Sequence, residues 1–300
     1  MKTQEELLKF FSTAKAVDAH VHTHLCDGSP DATVANIAAS AENSGIDTVV
    51  LTPHFHKAVA DETEALYADT DETILLRLRE EIEEYREKGG SVRFLLSVEA
   101  DILSPSGETA LSVSRRVEEA LDLVTPTMNY HPLLPLRFVH LTYGRDINEL
   151  HDSGGFALAA EKAGGIAYLL RTMYEIEANA IKKCPYPAML GHFFAAHSVH
   201  PDRNTWFGAR EEDLPLMKEG ALRVIAACKE KGAMLDLTGV HLQRGETVEE
   251  RLSKNGFLVE FQRFVADACR KNGLLFFGGS DAHSPGGVGG LTEYYKAIFS

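Results

Sequence analysis

The sequence has few cysteines and no long apolar run, and both features limit the classes of protein to which it can belong. Its four cysteines, Cys26, Cys184, Cys228 and Cys269, have no CxxC spacing. In a chain of this length such a pattern predicts reduced thiols rather than a disulfide framework. No run of about 18 apolar residues indicates a membrane span, and the first residues lack the apolar segment of a secretory signal. We therefore expect a cytoplasmic protein that does not act in a membrane.

Basic residues are outnumbered by acidic ones. The chain of 300 residues has 30 lysines and arginines against 44 aspartates and glutamates, which gives a net charge of −14. A surface with this charge repels phosphate backbones and anionic membranes, so neither nucleic acid nor a membrane is an expected partner. A small phosphorylated substrate could still bind to a local cluster of metal cations. The oligomeric state does not follow from the sequence.

Apolar, β-branched runs alternate with amphipathic helical patterns along the chain. The predicted strands are Ala16–His22, Thr48–Pro53, Val92–Val98, Leu121–Thr127, Ala188–Phe193, Ala233–Leu237 and Leu274–Gly278. This alternation predicts an α/β fold with a parallel sheet covered by helices, closed into a TIM-like barrel. We expect one domain over residues 1–300, with long loops at about 129–165 and 194–220 that are candidate binding loops.

Side chains of the kind that bind metals follow most of these strands. Alternate residues of a strand face the same way, so the first strand can present both His20 and His22 to one ion. The carboxyl ends of parallel strands meet at the functional face of such folds, where side chains from different strands can converge. The predicted metal ligands are His20, His22, Asp27, His54, Glu99, His131, His192, Asp281 and His283.

These residues stand in motifs that resemble the PHP (polymerase and histidinol phosphatase) superfamily, in its histidinol-phosphatase-like branch. The segments that carry the resemblance are Asp18-Ala19-His20-Val21-His22-Thr23, Asp27-Gly28, Leu51-Thr52-Pro53-His54, Val98-Glu99, Leu190-Gly191-His192 and Gly279-Ser280-Asp281-Ala282-His283. The resemblance implies a distorted (β/α)7 barrel with three divalent ions at the carboxyl ends of its strands, and zinc, manganese and iron all suit such ligands.

The resemblance also implies which residues hold each ion. His20, His22, Glu99 and Asp281 would hold the first ion. Glu99 would bridge to a second ion held by His131 and His192. Asp27, His54 and His283 would hold the third. Pro53 replaces an expected aspartate, and His131 follows Asp122 two residues later than expected. His200 is an alternative to His192.

Arginines and further histidines could complete the site. Arg244, Arg203 and Arg210 lie in predicted loops and could bind phosphate, although an exposed salt bridge is the alternative for each. Among the further histidines, His24, His56, His197 and His200 are expected to contact the ligands from outside or to lie on the surface. Asp101 is either a partner of Glu99 or a turn residue, and Asp236 either supports the site or is structural.

The function that these residues predict is that of a metal-dependent phosphoesterase. A metal-activated hydroxide would attack a small phosphorylated metabolite, with Asp281, His283 and Arg244 as catalytic residues. Histidinol phosphate is one specific substrate, and nucleotides or cyclic phosphodiesters are others. The alternatives from other classes are an amidohydrolase-like C–N hydrolase and a non-catalytic metal-binding scaffold.

Overall fold

Short buried strands followed by helices make up most of the chain, as the alternating pattern predicts. The computed structural model describes residues 1–55, 71–109, 111, 113–129, 131–133, 161–194, 210–238, 247–254 and 256–299. The strands within these ranges are β1 Val17–Val21, β2 Thr48–Leu51, β3 His54–Phe55, β4 Arg93–Leu96, β5 Glu99–Asp101, β6 Thr125–Thr127, β7 Met189–Leu190, β8 Met234–Asp236 and β9 Phe276–Phe277.

The helices separate the strands along the chain. They are α1 Gln4–Ser12, α2 Val34–Asn43, α3 Glu72–Glu87, α4 Arg115–Ala120, α5 Ile166–Lys183, α6 Leu214–Lys231, α7 Val248–Lys254, α8 Gly256–Asn272 and α9 Thr292–Phe299, with 3-10 turns at Glu211–Asp213 and Pro285–Gly287. Among the described helices, none is both long enough and apolar enough to cross a bilayer. All seven predicted strands contain an observed strand, so the α/β prediction is confirmed.

One predicted loop is shorter than expected. The loop at 194–220 was predicted to end at Gly220, but α6 begins at Leu214 and includes that glycine. Gly220 packs against the buried ring of Tyr174, and a Cβ there would lie 2.0 Å from a ring carbon. A glycine inside a helix can therefore mark a close packing contact rather than a loop. Most of the loop predicted at 129–165 lies outside the described residues.

The strands pair in parallel and form three sheets. The sheet orders are β1-β2-β4, β3-β5-β6 and β7-β8-β9. Isolated parallel bridges connect Thr127 of β6 with Gly191, just after β7, and Val21 of β1 with Ala282, in the segment after β9. These pairings establish a parallel α/β architecture, whereas the closed barrel stays a prediction.

Two apolar clusters pack against the strands and so fix the positions of the polar side chains at the strand ends. One cluster contains single residues from several strands together with Leu7 and Phe11 of α1, and its members are Leu7, Phe11, Ala19, Val50, Leu95, Leu123, Met189 and Met234. A larger cluster lies between the strands and the other helices. The register of β1 shifts between Asp18 and Val21, which is the signature of a bulge. Ala19 and Val21 consequently pack in different clusters, because an extra residue reverses the alternation of side chains.

Helix α5 buries an acidic side chain. Glu177 is 3% exposed, and its Oε2 has no hydrogen-bond partner within the described part of the chain. Burial disfavours the charged carboxylate and raises the pKa of Glu177 to about 8. In the unfolded chain the group would ionise near its ordinary value of 4.5. The folded state therefore binds an additional proton between these two pH values.

This proton makes stability depend on pH. Because the folded state binds more protons than the unfolded state between pH 4.5 and about 8, the free energy of unfolding should fall as pH rises in that window. Relative to Glu177→Gln, the wild type should lose up to about 1.4 kcal/mol for each pH unit. Urea denaturation at several pH values measures this difference. Glu175→Gln, an exposed change on the same helix, should keep the wild-type pH dependence, and an unchanged dependence in Glu177→Gln would contradict the prediction.

Candidate metal centre

The carboxyl ends of the strands bring most of the predicted ligands together. Two groups of side chains each place their donor atoms within 4.8 Å of one another, and they share His22. The first group is His20, His22, His192 and Asp281, and the second is His22, Asp27, His54 and His283. Glu99 lies between the two groups. These residues come from β1, β3 and β5 and from the segments that follow β1, β7 and β9.

The first group is buried and closely spaced. Nε2 of His20 lies 3.1 Å from Nε2 of His192. Nε2 of His22 lies 3.1 Å from Oδ1 of Asp281, and Nε2 of His192 lies 3.6 Å from the same oxygen. Ligands of a tetrahedral ion with bonds of about 2.1 Å are about 3.4 Å apart. The observed spacing therefore fits donor atoms around one divalent ion.

The second group lies nearer to solvent. Oδ2 of Asp27 is 3.1 Å from Nε2 of His54 and 2.9 Å from Nε2 of His283, and Oδ1 of Asp27 is 3.0 Å from Nδ1 of His22. The ring of His283 stacks on His22 with centroids 4.1 Å apart. The side chains of Asp27 and His283 are 35% and 36% exposed. A substrate could approach the centre from this side.

Glu99 places one carboxylate oxygen between the two groups. Its Oε2 is 3.1 Å from Nδ1 of His54, 3.3 Å from Nε2 of His20 and 3.5 Å from Nε2 of His22. The side chain is fully buried. A buried carboxylate is stable only with compensating positive charge or hydrogen bonds, and here the imidazoles provide both. This is the position that a shared ligand would occupy.

The backbone is strained at two of these residues. His192 and Asp281 have positive φ angles of 56° and 53°, which non-glycine residues rarely adopt. The amide of Asp281 donates to the carbonyl of His20, with an N···O distance of 3.0 Å. Strained residues persist where the surrounding structure holds them, and they concentrate at functional sites. Both side chains point to the first group.

Two further aspartates hold the ligands in place. Oδ2 of Asp236 is 2.9 Å from Nδ1 of His20 and accepts from the amide of His192 at 3.3 Å. This carboxylate holds the proton on Nδ1 of His20 and leaves Nε2 for the centre. Asp18 accepts from the amides of Ser280 at 2.8 Å and Gly289 at 2.9 Å and so positions the last segment of the site. Asp236 therefore supports the site, and Asp18, which opens the Asp18-Ala19-His20-Val21-His22 motif, is a supporting residue that was not among the predicted site residues.

Contacts among the side chains of the centre change their pKa values more than burial does. Burial alone would lower the pKa of His20, but hydrogen bonds with Asp236 and Glu99 raise it well above its ordinary value. Burial is likewise opposed by hydrogen bonds with Asp27 and Asp281, which raise the pKa of His22 to about 9. The neighbouring imidazoles hold the pKa of Glu99 and of Asp281 well below their usual range, again against burial. The side chains alone thus form an imidazolium–carboxylate network, in which a divalent cation would replace the protons.

His131 is placed differently from the prediction. Its Nε2 is 3.0 Å from the carbonyl of Leu169 and 3.2 Å from Oγ1 of Thr172, and its Nδ1 accepts from the amide of Leu133 at 3.3 Å. These contacts occupy both ring nitrogens, and burial lowers the pKa of His131 to about 4. The histidine is therefore neutral, with no lone pair directed to the two groups. The described residues do not fit a second ion held by Glu99, His131 and His192.

Asn129 contacts Glu99 instead. Its side-chain amide donates to Oε1 of Glu99 at 2.6 Å and to Oδ1 of Asp101 at 2.9 Å. Asp101 is thus a buried partner of Asn129 rather than a turn residue. Asn129 was not among the predicted site residues, although it stands two residues before His131, where a ligand was expected after Asp122.

The predicted phosphate-binding arginines do not add to the described centre. Arg244 and Arg203, together with His56, His197 and His200, lie outside the described residues. The side chain of Arg210 is 72% exposed and 3.6 Å from Glu212, which is the salt-bridge alternative. Nε2 of His24 is 3.3 Å from Glu81, so this ring contacts helix α3.

Comparisons with known proteins agree with the motifs and the fold. A family described as PHP-associated matches residues 260–293, the segment that contains Asp281 and His283. The resemblance to the PHP superfamily is confirmed. No curated protein matches the chain by sequence.

Two solved structures of histidinol phosphatases have a similar fold. A protein from Listeria monocytogenes that is assigned as a histidinol phosphatase shares 16% identity with a TM-score of 0.65, and the match covers 93% of this chain and 99% of that one. The histidinol phosphate phosphatase from Lactococcus lactis, whose structure contains zinc, L-histidinol and phosphate, shares 14% identity with a TM-score of 0.56 over 95% of each chain. At this identity the likeness shows the fold. The donor atoms of the two groups independently support the use of divalent metal.

Asp236 should strengthen metal binding although it is not a predicted ligand. Asp236→Asn removes the charge that orients His20 and should weaken zinc binding by about 10- to 100-fold. Competition with a chromophoric chelator measures the affinity. Asp267→Asn, a change at an exposed helical residue, is the control and should have no effect. Wild-type affinity in a folded Asp236→Asn variant would show that this carboxylate does not orient a ligand.

Metal binding should also release protons. His22 has a pKa of about 9, so at lower pH a cation must displace a proton from this ring. The apparent zinc affinity should therefore rise between about pH 6 and pH 8. Calorimetric titrations in two buffers with different ionisation enthalpies should give different binding enthalpies. Equal enthalpies in both buffers would argue against proton displacement.

Proposed function

We infer that this protein is a metal-dependent phosphoesterase that acts on a small, soluble phosphomonoester. The observation that carries this proposal is the pair of adjacent imidazole and carboxylate groups at the strand ends. The two groups share His22 and both contact Glu99. Adjacent divalent ions are the arrangement by which many phosphatases act on phosphate esters. The PHP resemblance supports the same reaction class.

The proposed architecture is a distorted seven-stranded barrel within a single domain over residues 1–300. If β3 is counted with β2, and β5 with β4, seven strands follow one another. The amide of Gly191 donates to Pro126 at 2.9 Å and the amide of Ala19 to Gly278 at 3.2 Å, which connects the sheets on two sides. The interior cluster that contains Ala19, Val50, Leu95 and Met234 supports the same arrangement. Such a barrel would place all the strand ends at one rim.

The residues of the two groups would have separate roles. His20, His22, His192 and Asp281 would hold one ion, Asp27, His54 and His283 another, and Glu99 would contact both. Bound zinc, manganese or iron would supply an activated water nucleophile and neutralise the charge on the phosphoryl oxygens. Asp236 and Asp18 would keep the ligands oriented while substrate binds. Arg244 and Arg203 remain the proposed sources of positive charge for phosphate, whereas Arg210 pairs with Glu212.

Substrate would enter from the side of Asp27 and His283, since these are the most exposed members of the centre. His24 contacts Glu81 and the carbonyl of Ala32, and His283 would hold an ion while its Nδ1 lies 2.9 Å from the carbonyl of Asp281, so we propose neither ring as the proton donor to the leaving group. L-Histidinol phosphate is the first substrate to test, since the Lactococcus relative contains L-histidinol and phosphate. Nucleotides and cyclic phosphodiesters are the next substrates to compare.

Loss of a ligand from the buried group should abolish activity. Asp281→Ala and His20→Ala should each lower hydrolysis of p-nitrophenyl phosphate and histidinol phosphate by about 10²- to 10³-fold or more. Assays use protein reconstituted with manganese, zinc or iron, and circular dichroism checks the fold. The matched control Asp267→Ala should retain wild-type rates.

Wild-type rates in both ligand variants would refute the site. Hydrolysis of a dihydropyrimidine without phosphatase activity would favour a C–N hydrolase. A folded protein that is inactive with every metal would favour a scaffold.

A further inference from the structure

We propose that the centre binds two ions per chain rather than three, because Asn129 occupies the position from which a further ion would be held. The second ion implied by the PHP resemblance needs Glu99, His192 and a histidine after the fourth predicted strand. In the structure the residue at that strand end is Asn129, two residues beyond β6. The nearby histidine, His131, binds the backbone at Leu169 and Leu133 instead.

The side-chain amide of Asn129 donates a hydrogen bond to the carboxylate oxygen of Glu99 that such an ion would require as a ligand. Glu99 directs Oε2 to the two groups, and its Oε1 accepts from Asn129 at 2.6 Å. The same amide nitrogen donates to Asp101 at 2.9 Å, so it satisfies two buried carboxylates at once. If the amide were flipped, its oxygen would face both carboxylates and repel them. An amide N–H is a donor and cannot act as a metal ligand.

Among the residues that the structure describes, the remaining donor atoms are too few for a further ion. His192 already contributes Nε2 to the first group, where it is 3.1 Å from His20. Its Nδ1 is 3.5 Å from Oε1 of Glu99, but one neutral imidazole does not bind two ions. A zinc ion in a catalytic site takes about three protein ligands. Glu99 Oε1 is the one charged donor of the implied set that remains, and it is bound to the amide.

This arrangement gives Asn129 a positioning role. Glu99 has no exposed surface, so the orientation of its carboxylate depends on its partners. The amide donates at one oxygen while the imidazoles of His20 and His54 contact the other. Glu99 is therefore directed between the two groups without a third cation.

The number of bound ions tests this proposal independently of activity. Apoprotein is reconstituted with excess zinc or manganese, desalted and measured by inductively coupled plasma mass spectrometry. The wild type should retain two ions per chain. Asn129→His should raise the number to three, and Asn129→Asp, which adds a carboxylate of the same size, should do so even if the histidine variant fails to fold. His131→Ala should remain at two.

The opposite results would overturn the proposal. Three ions in the wild type, or the loss of an ion in His131→Ala, would show that the third position exists in the natural chain. Two ions in both folded Asn129 variants would show that Asn129 does not occupy that position. Because no outcome depends on turnover, these results stay separate from a failure of the proposed phosphoesterase activity.

Discussion

The centre depends on carboxylates that the fold buries beside imidazoles. Glu99 has no exposed surface and Asp281 is 6% exposed, so neither could remain ionised without close positive charge. The imidazoles provide that charge when protonated, and a divalent cation would provide it more strongly. The same contacts that stabilise the fold around these side chains therefore prepare a site for metal. Because buried carboxylates are unfavourable without positive charge, a cation that neutralises them should bind more tightly.

The surrounding structure holds this network in place. The apolar cluster beneath the site, with Ala19, Val50 and Met234, fixes the strands, and the β1 bulge shifts the alternation of side chains just before His22. Asp236 and Asp18 bind the ligands or their backbone from outside the groups. His192 and Asp281 have positive φ angles, a strained conformation that directs these two side chains toward the first group.

In the proposed two-ion centre, Asn129 is a single residue that would change the centre without changing the fold. A histidine and an asparagine are both compatible with the strand end, but only the histidine offers a neutral nitrogen to a cation. The amide offers hydrogens instead, and these neutralise part of the buried negative charge of Glu99 and Asp101. Under this proposal, a related protein with the same fold could hold a different number of ions according to this single position.

The sequence by itself predicted the positions of seven strands, the α/β alternation and most of the candidate ligands that the structure brings together, because parallel strands place their carboxyl ends together and the motifs stand at those ends. It could not determine that His131 turns to the backbone while Asn129 reaches Glu99. That choice depends on which side chain lies closest to a carboxylate from another strand, and no spacing along the chain records that distance. The sharing of His22 between two groups and the support of His20 by Asp236 were also decided in three dimensions. His20 and Asp236 meet because the carboxyl ends of β1 and β8 lie close together.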